Sequence, residues 1–327
     1  MTSLKRLFNL LELDKKDVLQ IFFYAIFAGF ISLSLPLGIQ AIINFIQSGR
    51  VSASWIVLII LVVVGVALVG ILSLMQLRIT ENLQQKIFVR SSFEFAARLP
   101  KIKFEQFYNS YPPEIANRFF DTLAIQKGTS KLLIDFSAAI LQITFGIILL
   151  SLYLPFFIVF GIILFGLLHF IFKFSYNIGL ETSLKESKFK YKVAAWLQEI
   201  ARNNFLNYRE KHFNVIKKQF MQLIFFKILI TASLLSIGGY LVLSQEMNIG
   251  QFVAAEIIIL LVINSVEKII IGLETFYDVL TSVEKIGQVT DMILEDDSED
   301  RYDNCYTNIT LETENLNFRF PDSKQKV

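Results

Sequence analysis

Residues 136–172, FSAAILQITFGIILLSLYLPFFIVFGIILFGLLHFIF, decide the fold of this chain. The run contains no Asp, Glu, Lys or Arg, and it is broken only at Tyr153-Leu154-Pro155. A helix needs about 20 apolar residues to cross the hydrocarbon core of a bilayer, and proline cannot continue a helix from the preceding turn. The stretch therefore predicts two membrane-crossing helices joined by a tight turn at Pro155.

Further apolar runs lie on both sides of this stretch. Segments such as 55–70 are apolar all round the helix, whereas a buried helix of a soluble bundle carries an apolar stripe on one face. The whole chain is 54% hydrophobic and only 18% charged, which also argues against a water-soluble globule. We therefore predict an all-α membrane protein with six crossings, at about 18–46, 52–78, 132–153, 156–177, 220–243 and 249–271.

The rarer residue types exclude several kinds of function. Cys305 is the single cysteine, and there are two histidines, so neither a disulfide framework nor a Cys/His metal cage is expected. The net charge of +2 gives no general attraction to nucleic acid. No Ser/His/Asp or Cys/His arrangement suggests a catalytic residue.

Basic residues indicate which helix ends face the cytoplasm, because positively charged segments stay on that side. Of the 31 Lys and Arg residues, only Arg50 falls in one of the three short connections. The other thirty lie in the N-terminal arm (1–17), in 78–131, in 173–227 and from Lys268 onward. We therefore expect a multi-pass protein of the bacterial inner (plasma) membrane with both termini in the cytoplasm.

The two long connections, about 78–131 and 178–220, have the composition of helices rather than loops. Apolar residues recur in them at helical spacing, with charged residues between. The membrane helices are therefore expected to continue into the cytoplasm as two hairpins within a transmembrane domain of residues 18–294. One tip is expected at 110–114, where paired prolines can end one helix and start the next, and the other near 196–201.

The spacing of the apolar residues changes after an acidic linker at 295–308. Apolar residues then alternate with polar ones, which is typical of strands: Ile309, Leu311, Leu316, Phe318 and Phe320. A strand pair this small is not stable alone. Residues 309–327 are therefore expected to open a soluble domain that this chain does not contain.

Four acidic residues lie at helical spacing on the last predicted helix: Glu256, Glu267, Glu274 and Asp278. At about 100° per residue, their spacing places them within roughly 40° of arc. Glu256 lies inside the apolar run, where a carboxylate is costly unless it faces protein or water. This stripe is therefore expected to face a central cavity or a partner subunit, as a site for a cationic or polar substrate. The alternative is that the lower acids pair between helices, with Lys227 or Lys268.

Six crossings, two long cytoplasmic hairpins and a strand-forming C terminus together resemble the type-1 transmembrane domain of an ATP-binding-cassette (ABC) exporter. Three stretches carry the resemblance. Residues 113–121 (PEIANRFFD) are similar to a first coupling helix and its exit. Residues 247–253 (MNIGQFV) are similar to the start of a sixth helix, and 309–321 (ITLETENLNFRFP) to the opening strands of a nucleotide-binding domain.

The resemblance implies a half-transporter that forms the translocation pathway for an unknown exported substrate by alternating access. It would lie in membrane lipid as a homodimer or beside a close homologue. Its nucleotide-binding domains would hold ATP and Mg²⁺, and they would be coupled to the membrane domain through six residues at the hairpin tips: Glu114, Asn117, Arg118, Asp121, Gln198 and Glu199. Phe320 lies where the family has an aromatic residue that stacks on adenine, a role that needs the complete domain.

Two features depart from that family. No Gly-x-x-x-x-Gly-Lys-Ser/Thr phosphate loop is present, so this chain alone is expected to bind neither ATP nor Mg²⁺ and to have no ATPase site. Residues 199–239 are shorter than the resemblance implies by about six helical turns, roughly 30 Å of helix, which leaves the role of the second tip open. From the sequence, two alternatives remain: an ATP-independent carrier or channel that uses the Glu256 stripe, and an inactive truncated product.

Overall fold

The computed structural model describes residues 2–49, 53–107, 112–153, 155–196, 199–295 and 312–314. Nine α-helices fill most of these ranges: α1 (Ser3–Glu12), α2 (Lys15–Ser32), α3 (Ser34–Gln47), α4 (Ala53–Arg98), α5 (Pro112–Asn117), α6 (Asp121–Tyr153), α7 (Phe156–Trp196), α8 (Glu199–Leu243) and α9 (Ile249–Thr290). Short 3₁₀ turns lie at Leu99–Lys101, Phe104–Phe107 and Arg118–Phe120. The predicted linker (295–308) and strands (309–327) lie outside the described residues, apart from Glu295 and 312–314.

Six segments of the described chain are long and apolar enough to cross a membrane: Lys15–Gln47, Ser54–Lys101, Glu114–Tyr153, Phe157–Lys190, Leu206–Leu243 and Ile249–Thr290. They coincide with the six predicted crossings, so the predicted all-α membrane fold is confirmed. The predicted turn at Pro155 separates α6 from α7. Much of the apolar surface of α4, including Ile56, Leu61 and Val64, is exposed, as expected of a helix that faces lipid.

The first crossing consists of two helices, α2 and α3, where the sequence predicted one. The break is at Leu33. Pro36 has no backbone N–H to donate to the carbonyl of Ser32, four residues earlier, so the regular ladder cannot run through this point. At the end of α2, the Ser32 hydroxyl donates a hydrogen bond to the Gly29 carbonyl at 2.7 Å.

Four helices are much longer than a membrane crossing requires. Helices α4, α7, α8 and α9 contain 46, 41, 45 and 42 residues. At about 1.5 Å per residue they reach roughly 60–70 Å, about twice the thickness of the hydrocarbon core. The surplus forms the region beyond the bilayer that contains α5 and the ends of α7, α8 and α9.

Helix α9 is the centre of the bundle. In its most apolar window 50% of the residues are buried, against 11% for α2–α3 and for α4. Its closest neighbour is α6, and small residues allow the approach. A Cβ on Gly128 would overlap the side chain of Val279, and one on Gly146 would crowd Val262. Helix α9 also packs against α1, α3, α4, α7 and α8.

The N-terminal arm is a docked amphipathic helix. Leu7 of α1 is buried with Val283 and Ile286 of α9. At the turn between α1 and α2, Arg90 of α4 donates to both carboxylate oxygens of Asp14, at 3.0 and 3.1 Å. The arm thereby connects the C-terminal parts of α4 and α9.

Candidate functional site

The acidic stripe lies on α9, whose start is set by a capping box. The Asn248 side chain accepts from the Gln251 backbone N–H at 2.8 Å, and the Gln251 side chain accepts from the Asn248 N–H at 3.1 Å. This reciprocal pair satisfies donors that the first turn of a helix otherwise leaves free. Glu256 follows two turns later and is half-buried. Among the described residues it has no hydrogen-bond or ion-pair partner.

The next two acids of the stripe face α8. Glu267 lies 3.7 Å from the Lys227 ammonium, and Glu274 lies 3.3 Å from the Arg209 guanidinium. Arg209 also contacts Glu186 of α7 at 3.1 Å, so one guanidinium joins three helices. The Glu267–Lys227 pair is one of the interhelical pairs that the sequence left as an alternative. The partner Arg209 was not anticipated.

Asp278 lies one turn beyond Glu274, and its side chain is exposed. The stripe therefore divides by depth into three parts. Glu256 is unpaired among the described residues within the apolar half of α9, Glu267 and Glu274 are paired with α8, and the exposed Asp278 lies close enough to Arg209, Glu186 and Glu274 to feel their charges.

A buried polar layer, which the sequence did not reveal, connects α7, α8 and α9. The ring Nδ1 of His212 lies 3.1 Å from the Thr182 hydroxyl, and the ring packs edge-on against Tyr277. The Gln219 amide donates to the Tyr277 hydroxyl at 3.5 Å. His212 and Gln219 lie two helical turns apart on α8, which is the one sequence signal that could have paired them. The layer specifies how the α7–α8 pair meets α9.

The first hairpin tip packs onto the C-terminal end of α9. The Ser282 hydroxyl donates to the buried carboxylate of Asp121 at 3.3 Å, and Arg118 donates to the Gln288 side chain at 3.3 Å. Glu114 and Asn117 are half-buried. Two of the four predicted coupling residues thus face α9, and the other two remain partly open to a partner.

The side chains of the second predicted tip, 196–201, lie outside the described residues. Gln198 lies outside the described residues, as does Phe320. Glu199 is the first residue of α8, and its side chain also lies outside them. Nothing is therefore described of the side chains of these three predicted site residues.

The chain leaving α9 is joined to the first hairpin. Ile102 and Leu294 form an antiparallel bridge, in which the Lys103 N–H donates to the Ile293 carbonyl at 3.0 Å and the Glu295 N–H to the Lys101 carbonyl at 2.7 Å. A small apolar cluster lies beside the bridge: Phe95, Ile102, Ile115 and Val289. Ile115 of α5 is fully buried in it. Helix α5, the end of α4 and the exit of α9 are therefore one packed unit, here called the exit unit.

A family model described as the ABC transporter transmembrane region matches residues 18–203, more than half of the chain. The chain belongs to this family. The match runs from α2 through α7 into the first residues of α8, so it includes the exit-unit helices α4 and α5. No curated protein matches the chain.

Membership in the ABC transporter transmembrane family agrees with the six apolar crossings. The protein is thus a multi-pass membrane subunit of an ABC exporter, and its lipid-facing surface is the exposed apolar face described above. The family match does not assign a role to any of the acidic or coupling residues. Their proposed roles rest on the geometry just described.

Proposed function

We propose that this chain forms half of the translocation pathway of an ATP-driven exporter, and that it moves its substrate by alternating access. The observation that carries the proposal is the exit unit. Helix α5, which resembles a coupling helix, packs through Ile115 against the chain that leaves α9. A domain that displaces α5 would therefore also displace α9, the helix at the centre of the bundle.

ATP and Mg²⁺ are proposed to bind to complete nucleotide-binding domains and not to this chain alone. The sequence contains no phosphate loop to hold the phosphates of a nucleotide. Glu114 and Asn117 are the coupling residues best placed to contact such a domain, because they are partly exposed on α5. Arg118 and Asp121 would support α5 from within, through their contacts with Gln288 and Ser282.

A second copy of this chain, or a close homologue, is proposed as the partner in the bilayer. Six helices are too few to enclose a large pathway, and two-fold association is the commonest way to complete one. The distribution of basic residues supports a bacterial inner membrane location with both termini in the cytoplasm.

Within the pathway, Glu256 is the residue proposed to contact a cationic or polar substrate. It is the acid of the stripe that lies in the apolar half of α9 without a partner among the described residues. An unpaired carboxylate at that depth is costly unless water, substrate or another subunit faces it. Glu267 and Glu274, which already have basic partners, would instead hold α8 against α9.

The proposal can be tested by fusing the nucleotide-binding domain of an ABC exporter after Val327. Reconstituted in vesicles, the fusion should hydrolyse ATP, and Glu114→Ala should change hydrolysis more than Lys217→Ala, which alters an exposed residue of α8. The proposal would be contradicted if the fusion, its two variants and the isolated nucleotide-binding domain all hydrolysed ATP at the same rate, because α5 would then not couple the two domains.

A further inference from the structure

A cavity of about 590 Å³ lies beyond the predicted bilayer, between α1, α7 and α9. Residues of all three helices line it, among them Ser3, Glu181, Lys185, Lys188, Glu284 and Lys285. None of the four acids of the stripe lines the cavity, and its Gln288 accepts the hydrogen bond from Arg118 at the first hairpin tip. Its charged side chains are numerous for its size, so their pairing decides what it could bind.

Both glutamates of the lining already have partners. Glu181 pairs with Lys185 one turn away on α7. Glu284 accepts a hydrogen bond from Ser3 at 3.2 Å and lies 3.4 Å from the Arg6 guanidinium. Both glutamates therefore have a basic neighbour, and Glu284 shares Arg6 with Asp291.

Two lysines remain without an ion pair or hydrogen bond among the described residues, Lys188 and Lys285. Lys285 is only 6% exposed. Glu114 and Asp121 act on it electrostatically without forming an ion pair, and Lys188 and Arg118 repel it. The Lys285 side chain is thus largely removed from water, and no carboxylate pairs with its ammonium among the described residues, which favours an anion beside it.

The N-terminus of α1 opens on the same cavity through Thr2 and Ser3. The free backbone N–H groups of a first helical turn, with their share of the helix dipole, favour negative charge. The side chain of Lys285, the exposed ammonium of Lys188 and this helix end thus converge on one space.

We propose that this cavity is a binding site for an anionic group, a phosphate or carboxylate, supplied from the cytoplasmic solution. Lys285 would pair with the anion inside the cavity and Lys188 at its mouth. Lys285 lies 14 residues beyond the predicted end of the last crossing, about 20 Å along the helix, too far for a lipid headgroup in the bilayer plane. The site does not depend on the proposed transport function.

The test uses the purified chain in detergent and its thermal unfolding midpoint, with inorganic phosphate titrated against chloride at constant ionic strength. The wild type should show a saturable rise of the midpoint with phosphate. Lys285→Gln and Lys188→Gln should each raise the half-saturating phosphate concentration by about tenfold or more, as for the loss of a charge-assisted hydrogen bond. The matched control is Lys190→Gln, which removes the same charge from an exposed position of α7 and should bind like the wild type.

Four results would overturn the proposal. The first is no saturable response in the wild type, and the second is equal weakening by Lys190→Gln and Lys188→Gln. The third is a response to phosphatidylglycerol vesicles with none to phosphate, which would identify a lipid headgroup as the ligand. Without phosphate, Lys285→Gln should raise the midpoint, because it removes an unpaired buried charge. A lower midpoint would show that Lys285 has a partner within the protein and would also contradict the site.

Discussion

Ile102, just after the end of α4, is bridged to Leu294, just after the end of α9. Two backbone hydrogen bonds flank this pair, and the side chain of Arg98 adds a third by donating to the Thr290 carbonyl at 2.8 Å. Paired Cα atoms in such a bridge lie about 4.5–5.5 Å apart, within the range that a disulfide spans. The chain leaving α9 is therefore held directly against the first hairpin.

Cysteines at these two positions should form a disulfide within one chain. In a Cys305→Ser background, Ile102→Cys with Leu294→Cys should cross-link rapidly on mild oxidation, and a mobility shift on non-reducing gels would report it. Phe93→Cys with Leu294→Cys is the matched control, because Phe93 is 72% exposed on α4 and should not reach. Equal rates for the two pairs would contradict the bridge.

Ile115 should be essential for the stability of the exit unit. Its side chain is fully buried, so Ile115→Ala should lower the free energy of unfolding by about 2–5 kcal/mol. Phe93→Ala removes a larger but exposed side chain and should cost much less. Denaturant unfolding of the two variants in the same detergent would measure the difference, and equal losses would argue against a packed α5.

The contact between α6 and α9 should not tolerate an added methyl group at Gly128. A Cβ there would overlap Val279 in the centre of the bundle, so Gly128→Ala should destabilise the protein by about 1–3 kcal/mol. Gly70→Ala is the control, because no atom lies near the Cβ it would add. That variant should be neutral or stabilise α4 by up to about 1 kcal/mol. Thermal unfolding midpoints would compare them, and an unperturbed Gly128→Ala would show that the helices are further apart than described.

Docking of α1 should weaken in acid. The Arg6 guanidinium donates to Asp291 at 2.7 Å, and this hydrogen bond holds the pKa of Asp291 below its ordinary value of 3.8. A lowered carboxyl pKa stabilises the docked state at pH above 3.8, and that stabilisation is lost as pH falls through the lower folded-state value. Because Asp291 is largely exposed, the effect should be small.

A spin label at Phe8, an exposed position of α1, would detect this change. Its mobility should rise as pH falls from about 5 to below 3.8, the ordinary carboxyl value. In Arg6→Gln, mobility should be high throughout with little dependence on pH. A label whose pH response is unchanged by Arg6→Gln would exclude this ion pair as the cause.

The sequence predicted the crossings because a bilayer imposes a strong and local rule. A charge-free run as long as 136–172 is typical of membrane-crossing helices, and Pro155 marks the turn within it. The break at Leu33 was missed although Pro36 was visible, because a proline in a long apolar run can either bend a helix or end it.

The partners of the predicted site residues could not be read from the sequence. Glu267 and Glu274 were identified by their spacing on α9. The ion pair between Arg209 and Glu274, however, depends on the register at which α8 packs against α9. The Ile102–Leu294 bridge is likewise a single pair with no repeating pattern to predict it. Such contacts depend on how distant helices meet, which local periodicity does not encode.

We expect the six crossings to place the long helical extensions on the side of the membrane opposite Arg50. Labelling of single cysteines by a membrane-impermeant maleimide tests it most directly, in a Cys305→Ser background in intact cells and in inverted membrane vesicles. We expect Arg50→Cys to be labelled in intact cells and Phe93→Cys only in inverted vesicles. Labelling of both positions from the same side would contradict the account.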